Sequence, residues 1–150
     1  MAEQTDYSDL LLESYTGEPE SVYGILDFQK LECWKSAVEF RKQIAQLTQS
    51  FPVSEKYQLT SQLIRASRSV STNIAEGYGR FHFKDQIKFC MNARGSLTEC
   101  CDHLIIAEEL GYIQTGQLSK LLAQAESAGI VLNGYIRYLR KRLNETQSKN

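Results

Sequence analysis

Residues 52–80 read PVSEKYQLTSQLIRASRSVSTNIAEGYGR, and this stretch decides the fold. Its apolar and small residues recur at steps of three and four, which places them on one face of an α-helix: Leu59, Leu63, Ala66, Val70, Ile74 and Gly77. Pro52 cannot continue a preceding helix, and Ser54 is a candidate N-cap for the new one. Gly77 and Gly79 can adopt the left-handed conformation that ends a helix. The stretch therefore predicts a long amphipathic helix.

A run of small polar residues lies within this helix: Ser67, Ser69, Ser71, Thr72 and Asn73. Because these residue types have modest helix propensity, a closely packed helix or a polar ligand must favour short side chains there. Gly95 and Ser96, in a later helix, are also small, and two such patches most simply mark a close helix crossing. Asn73, Glu76 and Ser96 are predicted to form a structural polar network, since a buried Asn must hydrogen-bond. The alternative is a polar site at the end of the bundle.

Three further helices are predicted around this one. The first begins at an N-cap at Asp27 and ends near Gln49, the third spans about 84–110 before Gly111, and the fourth runs from Thr115 or Gly116 to about Leu143. No stretch has the alternating pattern of a β-strand, and short connections favour antiparallel neighbours. The sequence therefore predicts an all-α fold, an antiparallel up-down-up-down four-helix bundle over residues 28–143. Residues 1–27 are an extra N-terminal segment, and residues 144–150 are a flexible C-terminal tail.

The length of 150 residues suits one domain. No apolar run approaches the ~20 residues of a membrane span, and the N-terminus lacks a basic region followed by an apolar core, so a soluble cytoplasmic protein is expected. The four cysteines stand at positions 33, 90, 100 and 101. Neighbours on a helix point about 100° apart, so Cys100 and Cys101 are poorly placed to bond to each other. All four are predicted to be reduced core or interface residues.

No catalytic constellation is evident in the sequence. Structural zinc needs four ligands with paired spacings, and Cys100, Cys101 and His103 do not supply them. The Glu-x-x-His pattern of di-iron bundles is missing, and Gly77-Tyr-Gly79 follows a helix rather than the strand that precedes a phosphate-binding loop. Nothing nominates a nucleophile with its base and orienting acid. We therefore expect no enzyme activity, no metal and no cofactor.

Charge is unevenly distributed along the chain. Residues 1–27, the acidic leader, hold seven acids and no Lys or Arg, while the rest of the chain holds 17 bases and 11 acids. The leader is interpreted as a mobile tail or as a segment with a short helix around 8–15 that docks on the body or on a partner. An acidic leader before a basic body suggests a polyanionic partner, although solvated surface charge is the commoner cause.

Ten basic residues are the predicted nucleic-acid-binding set. They lie around the second hairpin and at the end of the fourth helix: Arg65, Arg68, Arg80, Lys84, Lys88, Arg94, Arg137, Arg140, Lys141 and Arg142. Phosphates require such clusters, and Tyr78, Phe81 and Phe83 could stack on unpaired bases. The alternative is an ordinary solvated helix surface.

Several motifs together resemble a known family. They include Phe28-x-x-Leu31-x-x-Trp34, the string Asn73-Ile-Ala-Glu-Gly77, and Leu110-Gly-Tyr-Ile113. The resemblance is to the bacterial four-helix bundle proteins encoded in intervening sequences of 23S ribosomal RNA genes, and it covers about residues 28–143. The chain is also similar to the accessory variability determinant of diversity-generating retroelements.

The resemblance implies a non-enzymatic homopentamer that associates with nucleic acid. The chain departs from the family pattern at Arg68, where a small or apolar residue is usual, and in its leader, which could cover a basic surface or recruit a partner. Two functions follow. The first is an oligomeric accessory factor that binds RNA or RNA/DNA. The alternative is a protein–protein scaffold that docks a partner enzyme such as a retroelement reverse transcriptase.

Overall fold

The computed structural model describes residues 24–149, which form four α-helices and two short 3₁₀ turns. The helices are α1 Glu32–Thr48, α2 Leu59–Tyr78, α3 Phe83–Glu109 and α4 Thr115–Gln147, and the 3₁₀ turns are Asp27–Lys30 and Val53–Glu55. Each helix packs against the next in the chain, and α1 packs against α4, which closes the ring. No strand occurs between residues 24 and 149. The predicted all-α four-helix bundle is therefore confirmed.

The start of α1 differs from the prediction. The Asp27 carboxylate accepts the backbone N–H of Gly24 at 2.7 Å, and residues 27–30 form a 3₁₀ turn rather than the first turn of the helix. Leu31 is extended, with φ −69° and ψ 125°, and α1 begins after it at Glu32. The 3₁₀ turn packs against α1 and α2, so this last part of the leader lies on the bundle. The leader's residues 1–23, including the helix considered around 8–15, lie outside the described residues.

Ser54 does not cap α2: the N-cap residue is Gln58, and the side chain that accepts the first helical N–H is that of Glu55. Residues 53–55 form a 3₁₀ turn, so the helix begins later than expected, at Leu59. The Glu55 carboxylate accepts the Leu59 backbone N–H at 3.1 Å, and its other oxygen accepts the Tyr112 hydroxyl at 2.9 Å. One carboxylate thus caps α2 and ties it to the segment that follows α3. The hydrogen bond to Glu55 raises the pKa of the Tyr112 hydroxyl.

A glycine follows each of α2 and α3, but only the one after α3 is left-handed. Gly79 is the C-cap of α2 with φ −74°, Gly77 lies inside the helix, and Gly111 has the one positive φ (76°) of the described residues. Tyr112 N–H donates to the Ala107 carbonyl and Gly111 N–H to the Glu108 carbonyl, both at 2.9 Å. This is a Schellman cap. The left-handed role predicted for Gly77 and Gly79 is therefore wrong.

The core contains the apolar face predicted for α2. All six residues of that face are buried, and they pack with apolar residues from the other three helices, including Ile44, Leu104 and Leu132, each at most 1% exposed. The helices α3 and α4 run close to their predicted bounds, except that α4 continues past Leu143 to Gln147. Periodicity therefore predicted which residues the bundle buries.

The close approach of α2 and α3 occurs at Gly77. A Cβ there would lie 2.8 Å from the Cβ of Phe89 and 3.2 Å from the carbonyl oxygen of Gln86. A Cβ at Gly95 would meet nothing within 4 Å, so the expected role of Gly95 in the crossing is wrong. Gly77 stands in the helix interior despite its low helix propensity, because no larger residue fits there without displacing α3.

We expect Gly77→Ala to destabilise the protein and Gly95→Ala to stabilise it. The first change forces a shift of α3 and should cost about 1–3 kcal/mol in the free energy of unfolding. The second improves helix propensity in open space and should add about 0.5–1 kcal/mol. Equilibrium urea unfolding measures both. Equal stability of the two variants would contradict the close approach at Gly77.

Candidate functional site

A surface groove between α3 and α4 brings together three of the predicted basic residues. The groove has a volume of about 270 Å³, and its lining is Met91, Arg94, Asn133, Ile136, Arg137 and Arg140. Met91 and Arg94 are one turn apart on α3, and Asn133, Arg137 and Arg140 follow at steps of four and three on α4. Each set therefore shares a helix face. We call this feature the α3–α4 groove.

The three arginines of the α3–α4 groove have no acidic partner. All three are exposed, and no carboxylate of residues 24–149 lies within 4.0 Å of their guanidinium groups. They are also not helix caps. Because α4 extends to Gln147, Arg137 and Arg140 lie well before its last turn, which contains no basic residue. Their positive charge is therefore available to a ligand rather than used by the helix dipole.

Three other predicted arginines are engaged in ion pairs. Arg65 faces Glu99 across α2 and α3 at 3.7 Å, Arg80 pairs with Glu76 at 3.1 Å, and Arg142 pairs with Glu145 at 3.5 Å. Two of them also lie over aromatic rings: the Arg80 guanidinium carbon is 4.8 Å from the Phe89 ring centroid, and that of Arg142 is 6.0 Å from the Phe83 centroid. These side chains would have to give up partners to bind phosphate.

The other four predicted basic residues are exposed but do not line the groove: Arg68, Lys84, Lys88 and Lys141. Of the aromatic residues proposed to stack on bases, Phe81 is 67% exposed, whereas Tyr78 and Phe83 are half-buried. The predicted set is therefore spread over the bundle, and only Arg94, Arg137 and Arg140 share one concave feature.

The small polar residues of α2 form hydrogen bonds across the bundle. Asn73 donates to the carbonyl and hydroxyl oxygens of Ser69, both at 2.9 Å, and the Ser69 hydroxyl lies 2.9 Å from that of Ser96 on α3. Glu76 is not part of this chain of bonds, because it pairs with Arg80. The Ser69–Ser96 contact places the small-residue run of α2 directly against α3.

A second polar link, which was not predicted, joins α1 and α2. Arg41 donates to the hydroxyl of Ser71, which is fully buried and donates in turn to the Arg68 carbonyl. The Arg41 guanidinium also lies 5.9 Å from the Trp34 ring centroid. Three groove residues were also not predicted: Met91, Asn133 and Ile136. Their spacing relative to the arginines could have indicated them, but only once α3 and α4 were paired.

Three of the four cysteines are buried thiols, and the fourth, Cys101, is half-buried. All four are free, and burial raises the pKa of Cys33 and Cys100 from 9.0 to about 12 and that of Cys90 to about 11. These thiols stay protonated at neutral pH and are poor nucleophiles and metal ligands. Within the described part of the chain, no group of three or more His, Cys, Asp or Glu residues could hold a metal ion.

None of the helices in residues 24–149 combines the length and the apolar character needed to cross a bilayer.

Comparisons with known proteins agree with this architecture. A family model described as 23S rRNA-intervening sequence protein matches residues 29–134. A comparison with curated proteins finds no significant match. Among solved structures, the chain is similar to a protein of unknown function from the S23 ribosomal protein family of Bacteroides thetaiotaomicron VPI-5482. The two share 20% identity and a TM-score of 0.65, over 70% of this chain and 95% of that chain. At that identity the likeness shows the fold alone.

We expect the stability of the bundle to fall as the pH rises above about 9. The thiols of Cys33, Cys90 and Cys100 have raised pKa values when folded, so the unfolded chain loses its protons first. The stabilisation that these protonated thiols give the folded state is complete below pH 9 and is lost as the pH approaches 11 to 12. The free energy of unfolding should fall by up to about 1.4 kcal/mol per pH unit for each thiol. Urea unfolding at several pH values, with reductant present, measures this slope.

A cysteine pair provides the control for this dependence. Cys100→Ala should reduce the slope of stability against pH, whereas Cys101→Ala should reduce it less, because Cys101 is only half-buried. A slope that is the same in both variants and the parent would contradict the assignment to buried thiols.

Proposed function

The chain belongs to the family of 23S rRNA-intervening sequence proteins, and from that premise we propose that it is a non-enzymatic, nucleic-acid-binding accessory protein. Its ligand is RNA or RNA/DNA, and its binding site is the α3–α4 groove. The observation that carries the proposal is the grouping of Arg94, Arg137 and Arg140 in one groove without a carboxylate partner among residues 24–149. The family's description names 23S rRNA, so RNA is the polyanion to test first.

The chemistry of the groove supports a phosphate-containing ligand. A guanidinium group donates two parallel hydrogen bonds to phosphate oxygens and stays charged at any physiological pH. Met91 supplies apolar surface for a sugar or base, and the Asn133 carboxamide can both donate and accept hydrogen bonds. Arginines of this kind bind anions but do not take up protons at neutral pH, so binding rather than acid–base catalysis is the activity this site favours.

A second observation supports self-association. The outward side of α4 carries exposed apolar residues beside small ones, a surface that we call the α4 outer face: Ala123, Ser127, Ile130, Val131, Gly134 and Tyr138. Ile130 is 63% exposed and Tyr138 is 51% exposed. Exposed apolar residues grouped on one helix side are typical of a protein interface. We propose that this face packs against further copies of the chain, in keeping with the pentamer that the family resemblance implies.

The alternative occupant of the α4 outer face is another protein, such as a reverse transcriptase. In that case the bundle is a scaffold, and the chain is not an oligomer by itself. Solution mass separates the two possibilities, because a scaffold for another protein stays small until its partner is added.

Replacing the groove arginines should weaken RNA binding. We expect the triple variant R94Q/R137Q/R140Q to lose about tenfold or more in affinity at low salt, since it loses three phosphate contacts. The slope of log affinity against log salt should become shallower by about 2 to 3. Fluorescence anisotropy with a labelled structured RNA at several salt concentrations measures both quantities.

The matched control removes the same charge elsewhere. Lys42, Lys56 and Lys120 are exposed and lie outside the groove, so K42Q/K56Q/K120Q should lose much less affinity. Equal losses in the two triple variants would assign binding to net charge alone. A parent protein that does not bind RNA even at low salt would overturn the proposal.

Self-association is tested by light scattering. We expect a mass near five times the 17.1 kDa chain for the parent protein. Ile130→Glu should lower this mass, because it places a charge in the proposed interface, whereas Gln62→Glu, at an exposed position of α2, should leave it unchanged. A monomeric parent would remove self-association and favour the scaffold.

A further inference from the structure

We propose that residues 1–23 of the acidic leader bind in the α3–α4 groove of their own chain and compete there with nucleic acid. The competition rests on the proposed function, but the docking does not. The leader and nucleic acid would then compete for the same three arginines.

Charge complementarity is the first argument. Residues 1–23 contain six acids and no Lys or Arg: Glu3, Asp6, Asp9, Glu13, Glu18 and Glu20. The groove presents Arg94, Arg137 and Arg140 with no carboxylate partner among residues 24–149. Most of the other arginines of the predicted set have found an acidic partner within the bundle. The charge of residues 1–23 is entirely negative, so this segment is complementary to a groove whose arginines have no carboxylate partner among residues 24–149.

The apolar parts of the two surfaces also match. The leader carries Leu10, Leu11 and Leu12 among its acids, and Met91 lines the groove together with the arginines. Met91 is 39% exposed, which leaves apolar surface for a leucine to cover. A segment with both acids and leucines fits this groove better than a uniformly charged one, since ion pairs at an exposed site contribute little alone.

Residues 1–23 are long enough to reach the groove, and they join the bundle at the end where α4 finishes. The described chain starts at Gly24, beside the 3₁₀ turn that packs on α1 and α2. This is the N-terminal end of α1 and therefore the end of the bundle at which α4 finishes, only a few turns beyond Arg140. Twenty-three extended residues reach up to about 75 Å, whereas the 33 residues of α4 span about 50 Å. The leader can reach the groove along many paths.

Tethering makes weak docking effective. A segment joined to the body acts at an effective concentration near the millimolar range, so it need not bind tightly to occupy the groove. If it occupies the groove for about 70–90% of the time, the apparent affinity for RNA falls about threefold to tenfold. Higher salt should weaken both the docking and the RNA binding, since exposed charge pairs are screened.

Docking can be measured without RNA. A glutamyl endopeptidase cleaves after Glu13 and Glu20 but not after Glu18, which precedes Pro19, and a docked leader should be cut slowly in the full chain at low salt. We expect R94Q/R137Q/R140Q to be cut at least about threefold faster, at a rate near that of a free peptide of residues 1–23, because the docked state is lost. The control K42Q/K56Q/K120Q should be cut like the parent. Equal rates in the parent and in R94Q/R137Q/R140Q would overturn the docking.

Competition is measured by a double-mutant cycle. The full chain with E3Q, D6N, D9N, E13Q, E18Q and E20Q should bind labelled RNA about threefold to tenfold more tightly than the parent at low salt. In the R94Q/R137Q/R140Q background the same leader changes should alter affinity by less than about twofold. An equal gain in both backgrounds would mean long-range repulsion alone and would overturn the competition. If no variant binds RNA, the proposed function fails, and the cleavage rates alone decide the docking.

Discussion

The contact of α2 with α3 at Gly77 is the constraint on which the rest of the bundle depends. With no side chain at this position, the end of α2 lies against Gln86 and Phe89 near the start of α3. The Ser69–Ser96 hydrogen bond continues the contact along the two helices. Together they fix which side of α3 faces the core, so Leu97, Cys100 and Leu104 point inward. The same orientation of α3 places Met91 and Arg94 on the side next to α4, where they form half of the groove.

Polar links then set the register of helices whose apolar faces could slide. Arg41 on α1 bonds to Ser71 on α2, and Glu55 before α2 bonds to Tyr112 after α3. Apolar packing alone tolerates many arrangements of similar volume, whereas a hydrogen bond with a fixed geometry does not. The same Glu55 carboxylate caps α2. Each link thus joins a local structure to a distant one, and this coupling explains why short polar residues occur inside a helix of otherwise modest propensity.

The fold was predictable because helical periodicity is a local property of the chain. The buried face of α2 and the Gly111 end of α3 follow from spacing and residue type. That Glu55 rather than Ser54 accepts the first N–H of α2 was not predictable, since the position of Glu55 depends on where Tyr112 lies after folding. The same holds for the site. The pairs Arg80–Glu76 and Arg142–Glu145 are four and three residues apart, so the sequence could have indicated them. The Arg65–Glu99 pair forms only across two packed helices, and the groove likewise requires α3 beside α4.

The buried cysteines have a consequence for how opening of the bundle can be observed. Cys33, Cys90 and Cys100 come from α1 and α3, and each is at most 3% exposed. An alkylating reagent reaches such a sulfur only after the helices around it separate, so its rate of modification reports the free energy of that separation. Cys101 is half-buried on the same helix as Cys100 and provides an internal reference. The natural chain therefore carries probes at separate depths of one core, and they distinguish fraying of a single helix from loss of the whole bundle without any added label.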